Sequence, residues 1–248
     1  MNSSELYSAI FKRKSVRKFK NQKLEASKLQ SIQDFIDELT PFYAGIKTEI
    51  AILSENEIKT MLPLKASHYV AVYSEAKEGY LVNSGFMLQQ VDLFLSANGI
   101  GACWLGLGSP QKAAASRNGL DYVITLAIGY AEEPLHRTDI SEFKRNPISE
   151  ISSLIGAEEL LEAARLAPSA SNTQPWYFSG STDKIVVSRK LPNMLKAALY
   201  GKYNLIDIGI VLCHLWIAAL FAGKDIEFIK ENVTLSKGYE YVTTVKIQ

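Results

Sequence analysis

The chain has 248 residues, enough for one large domain or two small ones, and 47% of them are hydrophobic and 21% charged, as in an ordinary globular protein. Lys and Arg number 27 against 26 Asp and Glu, so the charge creates no field that favours a nucleic-acid partner. The two cysteines, Cys103 and Cys213, lie in apolar segments and fit neither a disulfide framework nor a zinc site, which favours a reducing, cytoplasmic location.

The chain shows no sign of an export signal or a membrane span. Its first residues, MNSSELYSAIFKRKS, are polar and charged where a signal peptide is apolar. The apolar run over 208–222 is shorter than the ~18 residues of a span and contains His214. We therefore expect this run to be a buried core helix.

Four elements of the first half follow from local patterns. An amphipathic helix is predicted over 25–39, before Thr40 and Pro41, and a strand over 69–73. A long apolar helix is predicted over 83–99, and a strand rich in β-branched residues over 122–128. The order is therefore helix, strand, long helix, strand.

The second half repeats this order. A helix over 157–166 ends before Ala167 and Pro168, and a strand over 184–188, a long helix over 207–223 and a strand over 241–247 follow. Chance explains the similarity of any single pair of helices. Four elements in the same order favour an internal duplication.

The two long helices also align residue by residue, each pair being separated by half the chain. The pairs are Asn83 with Asp207, Gly85 with Gly209, Leu88 with Leu212, and Gly99 with Gly223. Duplicated units are expected to pack about a pseudo-twofold axis, here with the long helices at the centre. We therefore expect an α+β fold (three-layer α/β/α), internally duplicated as a pseudo-dimer, in which interlocking halves 1–150 and 151–248 form one folding unit.

A basic segment lies near the N-terminus. Arg13, Lys14, Ser15 and Arg17 place three cations and a hydroxyl within five residues. Guanidinium groups bind phosphate oxygens in bidentate fashion, so the segment suits a phosphate or another anion. The alternatives are a solvated basic face and a nucleic-acid contact, and the near-neutral net charge disfavours the second.

A polar loop is predicted over 167–176, with the sequence APSASNTQPW. Small hydroxyl and amide side chains between two prolines form a rigid loop that offers hydrogen-bond donors and acceptors to the edge of a planar ring. An ordinary helix-to-strand connection is the alternative, which the length and order of the segment disfavour. The aromatic residues over 176–178 are expected to begin a core strand.

A glycine-rich segment, GIGACWLGLG over 99–108, follows the first long helix. Glycines allow backbone to approach a ligand closely. Trp104 stands where a dinucleotide fingerprint would have its third glycine, so the segment is not such a fingerprint. A helix C-cap and turn is the alternative and is preferred for Gly99 itself, while Cys103 is expected to be a small buried hydrophobe.

These segments, together with the Arg145-Asn146-Pro147 exit, resemble the FMN-dependent nitroreductase family, and PSASNTQPW is the most specific part. Members are usually homodimers in which a basic segment of one subunit and a proline-serine loop of the other hold the same FMN. Here each motif occurs once, in opposite halves. The resemblance is therefore to a single-chain, pseudo-dimeric branch that keeps one of its two FMN sites.

The resemblance implies roles for individual residues. The phosphate, ribityl chain and pyrimidine edge are expected to contact Arg13, Ser15, Arg17 and Arg145, with Lys14 contributing its backbone. The isoalloxazine is expected to lie against Pro168, Ser169, Ala170 and Asn172, and its N5 side against the backbone of Trp104, Leu105, Gly106 and Leu107. Ala170 departs from the second serine of the family, so the polar contact of that side chain is not expected here.

The implied activity is that of an FMN-dependent NAD(P)H oxidoreductase that reduces nitroaromatic, quinone or similar acceptors by ping-pong hydride transfer through flavin N5. Arg17 is expected to be the main electrostatic aid, because reduction places negative charge on the pyrimidine edge. We expect one FMN per chain, a small-molecule acceptor and a nicotinamide cofactor as partners, no metal, no nucleic-acid or membrane partner, and a monomer. The alternative is a non-catalytic flavin-binding carrier or redox sensor.

Overall fold

The structure is a computed structural model that describes residues 3–60, 64–191 and 194–248. These residues form an α+β fold, as the sequence predicts. The helices are α1 (Ser3–Ile10), α2 (Ala26–Asp37), α3 (Tyr80–Ala97), α4 (Ile148–Ile151), α5 (Glu158–Arg165) and α6 (Met194–Phe221). The strands are β1 (Thr48–Ser54), β2 (Ile58–Thr60), β3 (His68–Ser74), β4 (Gly101–Leu105), β5 (Gly108–Pro110), β6 (Ser116–Arg117), β7 (Leu120–Gly129), β8 (Trp176–Gly180), β9 (Lys184–Lys190), β10 (Ile226–Ile229) and β11 (Tyr239–Ile247).

Two antiparallel sheets share one strand order. The first runs β1-β3-β7-β4, with the short β6 also paired to β7, and the second runs β8-β9-β11-β10. In each sheet the strand that directly follows a long helix lies at the edge, and the last strand of the half inserts beside it. The outer edge of β4 therefore remains available, and the basic segment occupies it, since Val16 N–H donates to Ala102 O at 2.9 Å.

The long helices α3 and α6 pack against each other at the centre of the molecule. Their backbones touch at two glycines, in a reciprocal way. A Cβ atom added at Gly85 would lie 2.1 Å from Ile206 O, and one added at Gly209 would lie 2.0 Å from Val82 O. Only glycine fits at this crossing, because any side chain would force the helices apart.

Among the described residues, one helical segment, Tyr200–Phe221, is long and apolar enough to cross a membrane, with a mean hydropathy of 1.9. Its most apolar window is 78% buried inside the protein, as in the core helix of a soluble protein. The structure therefore confirms the prediction of a core helix for this run.

The predicted elements agree with the structure except at the start of one helix, and several strands, β4 among them, lie in segments for which no strand is predicted. The second long helix begins at Met194, so the predicted start at Asp207 is wrong. The glycine-rich segment contains β4, which the glycine pattern does not predict. Gly99 and Gly223 both have positive φ, of 76° and 69°, directly after a long helix, which confirms that each acts as a C-terminal cap.

Candidate functional site

A cleft of about 750 Å³ opens between residues of the two halves. One wall carries Ser15, Arg17 and Lys18, together with the end of β4. The opposite wall is the loop 168–171, and the start of α6 closes the side. Two segments at least 150 residues apart in sequence thus line the same space.

The cleft is apolar between these walls. Its lining includes Cys103, Trp104, Ile124, Ile206 and Ile210. Burial raises the pKa of the Cys103 thiol, and nearby Arg17 opposes this shift only in part. A buried, protonated thiol is a poor nucleophile, so this residue acts as a small apolar surface.

Two tyrosines of α6 lie at the rim. Tyr203 donates from its hydroxyl to Gly106 O at 2.6 Å and so links α6 to the segment after β4. The hydroxyl of Tyr200 lies 3.4 Å from Ser171 Oγ and links α6 to the opposite loop. The turns of α6 that precede Asp207, which the sequence does not predict, therefore connect both walls of the cleft.

Arg13 lies behind the basic wall. Its side chain is 1% exposed, and Nε lies 2.9 Å from Asp92 Oδ2 in an ion pair whose N–H is not aligned for a hydrogen bond. Its Nη2 donates to Ser15 Oγ at 3.3 Å, and Trp104 Nε1 donates to the same Asp92 oxygen at 3.4 Å. The Arg13–Asp92 pair thus holds Ser15 on the basic segment and Trp104 on β4.

Further arginines concentrate positive charge near Arg13. Burial, with repulsion by Arg13 as a second cause, lowers the pKa of Arg137 and of Arg145 to about 10. The guanidinium of Arg137 donates to the carbonyl oxygen of Arg13 and stacks on the ring of Phe143. Mutual repulsion among buried cations is relieved by a bound anion, so this region suits a phosphate group.

The opposite loop has a strained backbone. Three residues, Ser171, Asn172 and Gln174, have φ values of 51°, 57° and 47°. These values lie in the left-handed region, which residues other than glycine seldom adopt. Such strain is retained where surrounding contacts determine the conformation, and it is concentrated at functional sites. The contacts are present: Asn172 Oδ1 accepts from Arg145 at 2.6 Å, and Gln174 N–H donates to Ser169 Oγ at 2.9 Å.

Asp207 anchors this loop to α6. The residue is 3% exposed, and its two carboxyl oxygens accept from Ala170 N–H at 3.0 and 3.2 Å. Burial raises the pKa of Asp207 to about 8, and these hydrogen bonds oppose the shift only in part.

The structure brings together eight of the thirteen residues predicted to bind a cofactor. The residues that line the cleft are Ser15, Arg17, Trp104, Gly106, Leu107, Pro168, Ser169 and Ala170. The other five do not line it: Arg13 and Leu105 are buried behind the wall, and Lys14, Arg145 and Asn172 lie outside the lining. Arg145 donates instead to Asn172 and to the carbonyl oxygens of Phe143, Leu166 and Ala167.

Sequence reasoning missed several residues of the site, namely Lys18, Asp92, Arg137, Tyr200, Tyr203 and Asp207 as a loop anchor. The pairing of Asn83 with Asp207 was a signal for the last, because it placed a polar residue at the same point of two apolar helices. Lys18 adjoins the basic segment that the sequence marks, whereas the other four residues act through contacts between distant segments, for which the sequence contains no local pattern.

Comparisons with known proteins agree on one family. The model of the family described as "Putative TM nitroreductase" matches residues 5–219. A solved structure from Thermotoga maritima, a "putative nitroreductase", is 23% identical with a TM-score of 0.65, and the match covers 100% of this chain and 93% of that one.

Two further solved structures match with lower TM-scores. A nitroreductase family protein from Clostridium difficile is 18% identical with a TM-score of 0.46, over 60% of this chain and 96% of that one. A nitroreductase with bound FMN from Desulfitobacterium hafniense is 17% identical with a TM-score of 0.43, over 59% and 100%. No curated protein matches the chain.

Proposed function

Because this chain belongs to the nitroreductase family whose model matches residues 5–219, we propose that it binds one FMN in the cleft between its halves and acts as an NAD(P)H oxidoreductase. The observation that carries the proposal is the convergence of Ser15 and Arg17 with the loop 168–171 on one space. Nitroaromatic, quinone or similar organic molecules are the proposed acceptors.

The residues of the cleft fit FMN in size and in chemistry. Its volume of about 750 Å³ lies within the usual range of roughly 300–1,000 Å³ for cofactor sites. Apolar side chains such as Ile206 and Ile210 suit the faces of a planar ring, and the strained loop opposite suits its polar edge. The cations around Arg13 suit a phosphate.

When bound, FMN supplies the hydride chemistry between a nicotinamide and an organic acceptor, and the protein supplies binding, orientation and charge. Arg17 is exposed at the cleft, so its guanidinium is free to stabilise negative charge that develops there. Arg13 is held by Asp92, so it contributes a fixed positive potential from behind the wall. Asp92 in turn holds the Trp104 indole, which lines the apolar part of the cleft.

We further propose that the chain is an internal duplication with a three-layer α/β/α arrangement, its halves 1–150 and 151–248 forming one folding unit that works as a monomer in the cytoplasm. The identical strand orders and the reciprocal contacts at Gly85 and Gly209 support this proposal. So does a repeated hydrogen bond, since Tyr43 N–H donates to Asn83 Oδ1 at 2.9 Å as Ala170 N–H donates to Asp207.

The duplication also explains why one FMN per chain is proposed rather than two. Aromatic side chains pack together at positions of the other half that correspond to the FMN cleft. Phe42 follows Pro41 as Ser169 follows Pro168, and Phe86 corresponds to Ile210. The rings of Phe42 and Phe228 lie 4.6 Å apart, and Phe86 contacts both Phe42 and Trp216 at 5.5 Å. In this half, large aromatic rings thus fill the space that the smaller residues Ser169 and Ile210 leave open in the FMN cleft.

FMN binding is tested by titrating the purified protein, stripped of flavin, with FMN and with riboflavin. The proposal predicts tighter binding of FMN, because riboflavin lacks the phosphate that the arginines attract. Arg17→Ala is expected to weaken FMN binding by about tenfold, the typical effect of one charge-assisted hydrogen bond. Lys246→Ala, which removes an exposed cation of β11, is the matched control. Equal affinity for FMN and riboflavin contradicts the phosphate site.

Turnover is tested by mixing the yellow holoprotein with NADH or NADPH without oxygen. Bleaching of the absorbance near ~450 nm, a general property of flavins, supports the oxidoreductase. A holoprotein that stays yellow with both nicotinamides contradicts it and identifies a flavin carrier or sensor.

A further inference from the structure

Asp207 is buried, although its carboxyl group has few hydrogen-bond partners. The residue is 3% exposed on the lining of the cleft, and none of the ion pairs among the described residues includes it. An isolated carboxyl group is expensive to bury, so it persists where its hydrogen bonds serve a purpose. Its two hydrogen bonds both come from Ala170 N–H, in the loop that lines the cleft together with the basic segment.

This loop needs an anchor at the point where Asp207 provides one. Ala170 is the residue immediately before the two left-handed residues Ser171 and Asn172. Asn172 is held on the far side by Arg145 and by Lys144 O, to which its Nδ2 donates at 3.0 Å. Asp207 therefore fixes the cleft side of the strained turn, while Arg145 fixes its outer side.

We propose that Asp207 is a positioning residue, which holds the loop 168–174 in the shape that receives the flavin; the proposal rests on the FMN site proposed above. The residue contacts the loop backbone, so it acts through Ala170. Loss of the anchor releases a strained turn, and the wall then moves away from the basic segment. Asp207 thus serves the site by anchoring the loop backbone, and it takes part in no chemical step.

The other half of the molecule provides a control for this role. Asn83 accepts from Tyr43 N–H at 2.9 Å, and its Nδ2 donates to Thr48 Oγ1 at 3.0 Å. An amide can therefore perform the same anchoring at the equivalent helix position, on a loop that does not line the cleft. Asp207→Asn is expected to keep the anchor, whereas Asp207→Ala removes it and Asn83→Ala removes only its counterpart.

The experiment compares these three variants with the unaltered protein by FMN titration, thermal unfolding and hydrogen exchange of the apo-protein. Asp207→Ala is expected to bind FMN at least about tenfold more weakly and to exchange the Ala170 amide faster, because this N–H loses its acceptor. Asp207→Asn is expected to bind FMN within about threefold of the unaltered protein. Asn83→Ala is expected to be less stable yet to bind FMN normally.

Three results overturn the proposal. They are FMN affinity unchanged in Asp207→Ala, affinity as weak in Asp207→Asn as in Asp207→Ala, and an equal loss of affinity in Asn83→Ala, which indicates a merely structural effect. If Asp207→Ala does not fold, Asp207→Leu, which removes the acceptor from this buried position without leaving a cavity, must weaken FMN binding by itself. Absence of FMN binding by the unaltered protein contradicts the proposed function itself, which separates the two failures.

Discussion

Replacing Gly209 by alanine tests the contact between the two long helices. The new Cβ would lie 2.0 Å from Val82 O and 2.7 Å from Phe86 N, whereas ordinary contacts of a Cβ begin at 3.4 Å. Both obstructing atoms belong to the backbone of α3, so no side-chain rotation relieves the clash. The helices must separate by about 1 Å, and we expect a loss of about 3 kcal/mol, at the upper end of overpacking effects.

Gly201→Ala is the matched control within the same helix. No atom lies within 4 Å of the Cβ that it adds, and alanine is favoured over glycine inside a helix by about 1 kcal/mol. Urea unfolding followed by circular dichroism should therefore show Gly209→Ala less stable, and Gly201→Ala more stable, than the unaltered protein. A Gly209→Ala variant with unchanged stability refutes the close crossing of the helices.

The remaining predictions concern charged residues. Arg17→Ala is expected to slow flavin reduction by NAD(P)H at saturating FMN, measured by stopped-flow absorbance; an unchanged rate with both nicotinamides contradicts its electrostatic role. Burial raises the pKa of Asp207 from 3.8 to about 8, so the folded protein keeps a proton that the unfolded chain loses between these values. Stability should fall from pH 4 to 8 by up to about 1.4 kcal/mol per unit, and Asp207→Asn should remove this slope in urea titrations; an identical slope in both proteins contradicts the burial. Asp92→Ala leaves Arg13 charged and buried, so thermal and urea unfolding should show a loss of about 3–5 kcal/mol, and a loss below about 1 kcal/mol argues against the pair.

The parts of the fold that the sequence predicts are those with a strong local pattern. The long helix α3 is largely apolar and is followed by Gly99, so its end was predictable, as was that of α6 before Gly223. The start of α6 was not predictable, because the residues before Asp207 are mixed in polarity. Strand β4 was hidden by glycines, which favour turns in isolation and are tolerated here because β7 pairs along its length.

In the candidate site, too, some contacts were predictable from the sequence and others were not. The convergence of Arg17 with the loop 168–171 was predictable, since the resemblance to a dimeric family places these motifs at one FMN. The burial of Arg13 against Asp92 was not, because the two residues are far apart in sequence and nothing local marks them as partners. The position of Asn172 also differs, since its amide binds Arg145 rather than lining the cleft.

The molar ratio of flavin to chain, with the visible spectrum of the purified protein, tests the central claim most directly. The account predicts saturation at one FMN per chain and a flavin spectrum that is lost when the protein is stripped of cofactor. A ratio of two contradicts the filling of the second half by Phe42 and Phe86. A protein that remains colourless and fails to take up added FMN contradicts the cleft as a flavin site.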